Sequence, residues 1–243
     1  MSDPWRLVDD LGGGLDAAEQ MAADVALLDE VAAGALPALR LYRWSPPALS
    51  LGRFQPDDDV DSVACRHYGV EVVRRPTGGR ALLHGADLTY AVAMPLTAVG
   101  PARDSVDARY RLVAGALVAG LAELGVDAAV ARTGGAPGPV CFAGQQGADL
   151  RVGERKLCGS AQLCRDGAVL QHGAILLDRL EFDETDVLRG TDPGVARERL
   201  RAATVTLHEL GAPVAPRLVA GALVRGFERS LDVRFNSRLE VEG

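Results

Sequence analysis

The sequence predicts an α+β fold, a mostly antiparallel sheet flanked by helices, and three observations carry that expectation. Short apolar and β-branched runs recur between Gly, Pro and Asp turns, the mark of half-buried strands. Longer stretches place Ala, Val and Leu at helical spacing near both ends and in the middle. No fixed-period repeat or heptad run orders them, so mixed strands and helices point to one layered domain over residues 1–243, with a helical segment from about 181 packed on it.

Taken in order, residues 5–8 read as a short strand, and Gly12-Gly13-Gly14 releases a helix over 15–33. Residues 39–42 and 48–51 are apolar runs split by Ser45-Pro46-Pro47, which reads as a hairpin-like pair. Asp57-Asp58-Asp59 supplies an N-cap and first-turn acids for a helix reaching about His67. Strands follow at 69–74 and 80–83, joined by Pro76-Thr77-Gly78-Gly79, with another apolar run at 88–94. Ser105 starts a long helix to 124, and 126–131 returns as a strand. After the Gly/Pro-rich stretch 133–139, residues 149–152, 156–163 and 169–177 form a meander turning at Gly153-Glu154 and Asp166-Gly167. Helical patterning then covers 181–188, 195–202, 206–210 and 216–230, with a final strand at 232–235.

Composition bounds the function. A chain of 243 residues, 48% apolar, can bury a sizeable core, and a formal charge of -7 argues against a general phosphate-backbone binder. Cys65, Cys141, Cys158 and Cys164 make neither a disulfide framework nor a CxxC pair for zinc, and read as reduced thiols. The start lacks a basic and apolar leader, and the most apolar stretch, 112–124, is short, which predicts a soluble cytoplasmic protein without membrane or nucleic-acid partners.

Lys156 is the only lysine; every other Lys/Arg position is arginine. Arginine supplies surface charge equally well but cannot act as a compact single ammonium, so a lone lysine suggests a need for an amine. Alone it is also compatible with a surface cation. Three constellations surround it. Arg74-Arg75-Pro76-Thr77-Gly78-Gly79-Arg80, followed by His84, lets backbone approach a ligand and brings cations near it, though paired glycines serve plain turns too. Cys141, beside the Gly/Pro stretch, fits an exposed nucleophile that a nearby ammonium activates. Cys65, Cys158 and Cys164 fit the ordinary small buried residue better. Gly159-Ser160-Ala161 faces Gln171-His172-Gly173 if the hairpin pairs as drawn, and such small residues leave room for a ligand chain. His172 is either a base or a hydrogen-bonded core histidine.

The order RRPTGGRALLH, CF, GERKLCGSAQ and LQHGAILLD resembles the lipoate-protein ligase and octanoyltransferase family from about residue 5 to 210, with a catalytic domain like that of biotin- and lipoate-protein ligases. The resemblance implies that Lys156 contacts the acyl carbonyl and that Arg75, Thr77, Gly78, Gly79 and His84 line the acyl pocket; Gly159, Ser160, Ala161, His172 and Gly173, on the facing strands, are the further substrate-binding candidates. It is closest to the octanoyltransferases with a cysteine upstream of the lysine, which makes Cys141 the nucleophile. The family's acid directly after the histidine is replaced by Gly85. The implied partners are acyl carrier protein, which brings the acyl group on its phosphopantetheine arm, and lipoyl-domain acceptors such as the glycine cleavage H protein or a 2-oxoacid dehydrogenase E2. No metal and no separate cofactor are implied; ATP and magnesium enter only if the chain is instead a lipoate ligase forming lipoyl-AMP. A non-catalytic acyl-binding relative is the reading of another class. On charge alone Arg197, Arg199 and Arg201 are candidates for docking a carrier.

Overall fold

The computed structural model describes residues 3–131, 149–189 and 193–239. Eleven strands and six α-helices are described: β1 (Asp3–Asp10), α1 (Ala17–Ala32), β2 (Ala38–Tyr42), β3 (Ala48–Leu51), α2 (Ser62–Tyr68), β4 (Glu71–Arg74), β5 (Leu82–His84), β6 (Asp87–Pro95), α3 (Val106–Glu123), β7 (Ala129–Val130), β8 (Leu150–Val152), β9 (Arg155–Arg165), β10 (Ala168–Leu176), α4 (Glu184–Val187), α5 (Pro193–Ala203), α6 (Pro216–Leu231) and β11 (Val233–Phe235). They form an eight-stranded sheet in the order β11-β1-β2-β6-β10-β9-β8-β7 and a three-stranded sheet in the order β4-β3-β5. The expected α+β class holds. The large sheet is antiparallel except where β1 runs parallel to β11 and β2.

Alternation along the central strands decides what each face carries. Leu39 and Leu41 of β2 and Leu88, Tyr90, Val92 and Met94 of β6 join one core with Val113, Leu117, Leu223 and Phe227 of α3 and α6. The intervening Ala38, Tyr42, Ala91 and Ala93 turn to the other face and pack under Met21, Leu28 and Val31 of α1. Alanines on that face let α1 lie close to the sheet. Asp16 caps α1 in a reciprocal box with Glu19, satisfying backbone donors at its start.

Several expectations need correction. Segments 39–42 and 48–51 do not pair as a hairpin: β2 enters the large sheet and β3 the small one. The strands around Pro76–Gly79 do not pair with each other either, because β3 lies between β4 and β5, so the glycines belong to a crossover loop. Asp57–Asp59 forms a separate 3-10 turn, and Asp61 caps α2 by accepting from Val63 and Ala64 N–H. The strand expected at 126–131 is only Ala129–Val130, the helix at 181–188 only Glu184–Val187, and 206–210 is mostly turn. The central meander forms as expected, with β9 pairing β8 and β10.

Candidate active site

A pocket of about 630 Å³, its open mouth included, lies on the α1 side of the large sheet. It gathers Arg75, Gly78, Gly79, His84, Lys156, Gly159, Ser160, Ala161, His172 and Gly173 from the crossover loop and from β5, β9 and β10. Thr77 stands just behind, bonded to His172, and Cys141 lies outside the described residues. Sequence reasoning missed Met21, Tyr42, Trp44, Ser50, Thr89 and Asp149 in the lining.

Lys156 sits near the start of β9. Its carbonyl accepts from Val205 N–H at 2.9 Å, and its backbone pairs with Arg151 of β8. The side chain is 9% exposed, and its Nζ meets Asp149 Oδ2 at 2.9 Å, with Asp149 itself buried. A buried ammonium held by a buried carboxylate has a fixed position rather than a sampled one, at the cost of desolvating both.

The small residues of β9 and β10 face one another in the expected register: Gly159 opposite Ala174, Ser160 opposite Gly173 and Ala161 opposite His172. A Cβ on Gly173 would come within 2.4 Å of Gly159 O and 2.8 Å of Tyr90 Cε1, so the strands leave no room for a larger residue there. Ser160 Oγ lies 2.7 Å from Tyr90 OH, which accepts from Gln171 Nε2 at 2.8 Å. Burial raises the Tyr90 pKa well above its ordinary value, which keeps the phenol a neutral partner for Ser160.

The crossover loop is fixed by Arg75. Its guanidinium donates to Ser50 O at 2.9 Å, Gly78 O at 2.9 Å and Arg80 O at 2.7 Å, so this side chain shapes the loop from within. Gly52 backs the same loop; a Cβ there would fall 1.9 Å from Gly79 O.

Each of the two pocket histidines is braced at both nitrogens. His172 Nδ1 lies 2.8 Å from Asp24 Oδ2 and Nε2 2.7 Å from Thr77 Oγ1; Asp24 also accepts from Arg40 Nη1 at 2.8 Å and Tyr42 OH at 2.9 Å. His172 is thus hydrogen-bonded at both nitrogens, and the ring lines the pocket as well. His84 Nδ1 lies 3.0 Å from Asp87 Oδ2, Nε2 lies 2.9 Å from Ser50 Oγ, and the ring stacks on Trp44 at 4.3 Å. Asp87 thus supplies the carboxylate that Gly85 cannot. Burial alone pushes its pKa up, but His84, Gly85 N–H and the Thr89 hydroxyl outweigh that and leave it below the ordinary carboxylate value.

The remaining thiols divide. Cys158 is fully buried, and burial pushes its pKa up to about 12, which leaves it a poor nucleophile. Cys65 is buried too, and burial likewise raises its pKa. Cys164, expected to be buried, is exposed near the end of β9, where the strand leaves the core. Among the described residues no cluster of three or more His, Cys, Asp or Glu side chains is arranged to hold a metal, and no helix is long and apolar enough to cross a membrane. Arg197 of α5, one of the arginines that charge alone suggested, is engaged by Asp183 at 2.9 Å and by Asp186.

The family described as lipoyl protein ligase A/B catalytic domain matches residues 16–214. A protein named octanoyltransferase LipM from Symbiobacterium thermophilum is 40% identical over 250 residues, covering 95% of this chain and 88% of that one. Its namesake from Moorella thermoacetica is also 40% identical over 250 residues, covering 96% and 89%. Among solved structures, lipoate-protein ligase A bound with ATP superposes with a TM-score of 0.77 at 26% identity, over 100% of this chain and 90% of that one. A putative lipoate protein ligase from T. acidophilum with bound lipoic acid gives a TM-score of 0.70 at 26% identity, over 97% and 88%. Family match, relatives and fold agree: the chain belongs to the lipoyl protein ligase A/B catalytic-domain family.

Proposed function

We propose that this protein is an octanoyltransferase of lipoate biosynthesis that moves the acyl group through a cysteine thioester. The observation that carries the reading is the chain's sole lysine, Lys156, paired with buried Asp149 on the wall of a pocket that also takes in Gly78, Gly79 and the small residues of β9 and β10. The 40% identical octanoyltransferase relatives supply the reaction class.

In the first step the Cys141 thiolate attacks the octanoyl thioester carbonyl on the pantetheine arm of acyl carrier protein. The carbon–sulfur bond to pantetheine breaks, and pantetheine leaves as a thiol after taking up a proton. In the second, the neutral amine of a lipoyl-domain lysine attacks the acyl-enzyme; the amide forms, the amine releases a proton, and Cys141 regains its thiolate. Lys156 meets the negative charge that develops on the carbonyl oxygen in both steps, with Asp149 holding the ammonium in place and the backbone N–H groups of Gly79 and Ser160 as further donors. His84 and His172 shape the pocket through their braces. Because the acyl group arrives activated as a thioester, the chemistry needs no nucleotide, metal or other cofactor. The acceptor is a lipoyl domain of the H-protein or E2 type, and unpaired thiols support a reducing cytoplasmic location.

A ligase reading has one observation in its favour, the superposition on a lipoate-protein ligase bound with ATP. Octanoyl carrier protein and a lipoyl domain are incubated with the enzyme without nucleotide, in parallel with free octanoate, ATP and magnesium. Transfer in the first tube alone is the expected result. Transfer only in the second would assign the ligase activity instead.

A further inference from the structure

We propose that the side chain of Met21 is the wall that sets the length of acyl chain the pocket accepts. This deepens the transferase reading and rests on it. The pocket crosses the sheet from Lys156 and Gly159 on β9, past His172 and Ala174 on β10 and Thr89 on β6, to Tyr42 at the end of β2. Those are three strand steps, a span of about 14 Å. With the acyl carbonyl held at Lys156, the hydrocarbon tail runs toward β2, where α1 packs over the alanine-rich face.

Met21 of α1 is 6% exposed, lines this pocket and belongs to the same apolar cluster as Tyr42 and Trp44. The same side chain also lines a second, open hollow, whose other walls are Ala22, Val25, Ala26, Asp29, Arg74 and Pro76. Among the described residues Met21 is the one common to the two linings. Beyond it the surface stays mainly apolar, so a tail longer by a few methylenes has a place to lie once the thioether is removed. An unbranched side chain with three rotatable bonds stops a chain end by filling space rather than by any directed contact, so its volume should govern the cut-off.

The test loads acyl carrier protein with hexanoyl, octanoyl or dodecanoyl groups and measures kcat/KM for transfer to a lipoyl domain. Met21→Ala is expected to raise the dodecanoyl-to-octanoyl ratio about tenfold or more, since each methylene that gains or loses its space changes discrimination by roughly that factor. Met21→Phe is expected to shift preference the other way, from octanoyl to hexanoyl. Met21→Leu, close in volume, keeps the wild-type order. If the alanine protein does not fold, Met21→Val and Met21→Phe carry the same comparison in opposite directions. Ratios that stay at the wild-type value in these variants overturn the assignment. A wild-type enzyme that transfers no acyl chain overturns the transferase reading itself, a result distinct from failure of Met21 alone.

Discussion

The two sides of the pocket hold their charged groups for different purposes. On the histidine side, all four ring nitrogens of His84 and His172 meet protein partners at 3.0 Å or less, and behind His172 Asp24 also engages Arg40 and Tyr42. On the β8–β9 side, Lys156 is fixed by Asp149 yet lies on the pocket wall. Rings whose nitrogens are committed within the protein act as braces. A positioned ammonium can answer a negative charge that appears only during reaction. The contrast predicts that damage on the histidine side is read mainly as lost stability and damage on the lysine side as lost turnover.

Asp24→Ala should break the comparison most visibly. It removes a fully buried carboxylate from Arg40, Tyr42 and His172, and should lower unfolding free energy by about 3–5 kcal/mol, read from a urea transition. Lys156→Arg should lower kcat by about a hundredfold or more while moving the urea midpoint far less, because a bulkier guanidinium keeps the charge but not its position. If Lys156→Arg mainly unfolded the protein and Asp24→Ala mainly slowed turnover, the two sides would have been assigned the wrong way round.

Glu184 sharpens the contrast with a smaller, pH-dependent effect. It is a buried acid behind β5, within reach of Leu83 N–H at 3.4 Å, and burial pushes its pKa from 4.5 up to about 7. A folded-state pKa above the unfolded one means that the folded protein binds the extra proton between those values. The stability this group contributes is therefore full below about pH 4.5 and is lost as pH rises through about 7. Melting temperature should fall across that window in the wild type and fall less in Glu184→Gln. An identical slope in both proteins would remove Glu184 as the cause.

What the sequence disclosed follows from how local each feature is. The β8–β9–β10 meander and its register were readable because alternation and the turn residues at Gly153 and Asp166-Gly167 lie within a few positions of the strands they join. The loop 77–79, Lys156 and the small strand residues were readable as candidates for the same reason. Asp24 is 148 positions from His172, and nothing in either neighbourhood announces the other. The division of residues 39–51 between two sheets likewise depends on which distant strand each segment meets, β6 for one and β4 and β5 for the other. Asp149 was nearer to reach, since β8 and β9 were expected to pair, but a carboxylate at a strand start reads as a turn residue until the hairpin brings it to Lys156. Cys164 was misread because a strand residue's burial depends on how far its neighbours extend.

The central claim, covalent transfer assisted by a unique lysine, is tested most directly by weighing the intact enzyme after mixing with octanoyl carrier protein and no acceptor. The account predicts that the wild-type protein gains the mass of one octanoyl group, that Cys141→Ala gains none, and that Lys156→Arg gains it far more slowly. A Cys141→Ala protein that still acquires the octanoyl mass, or a Lys156→Arg protein that acquires it at the wild-type rate, would contradict it.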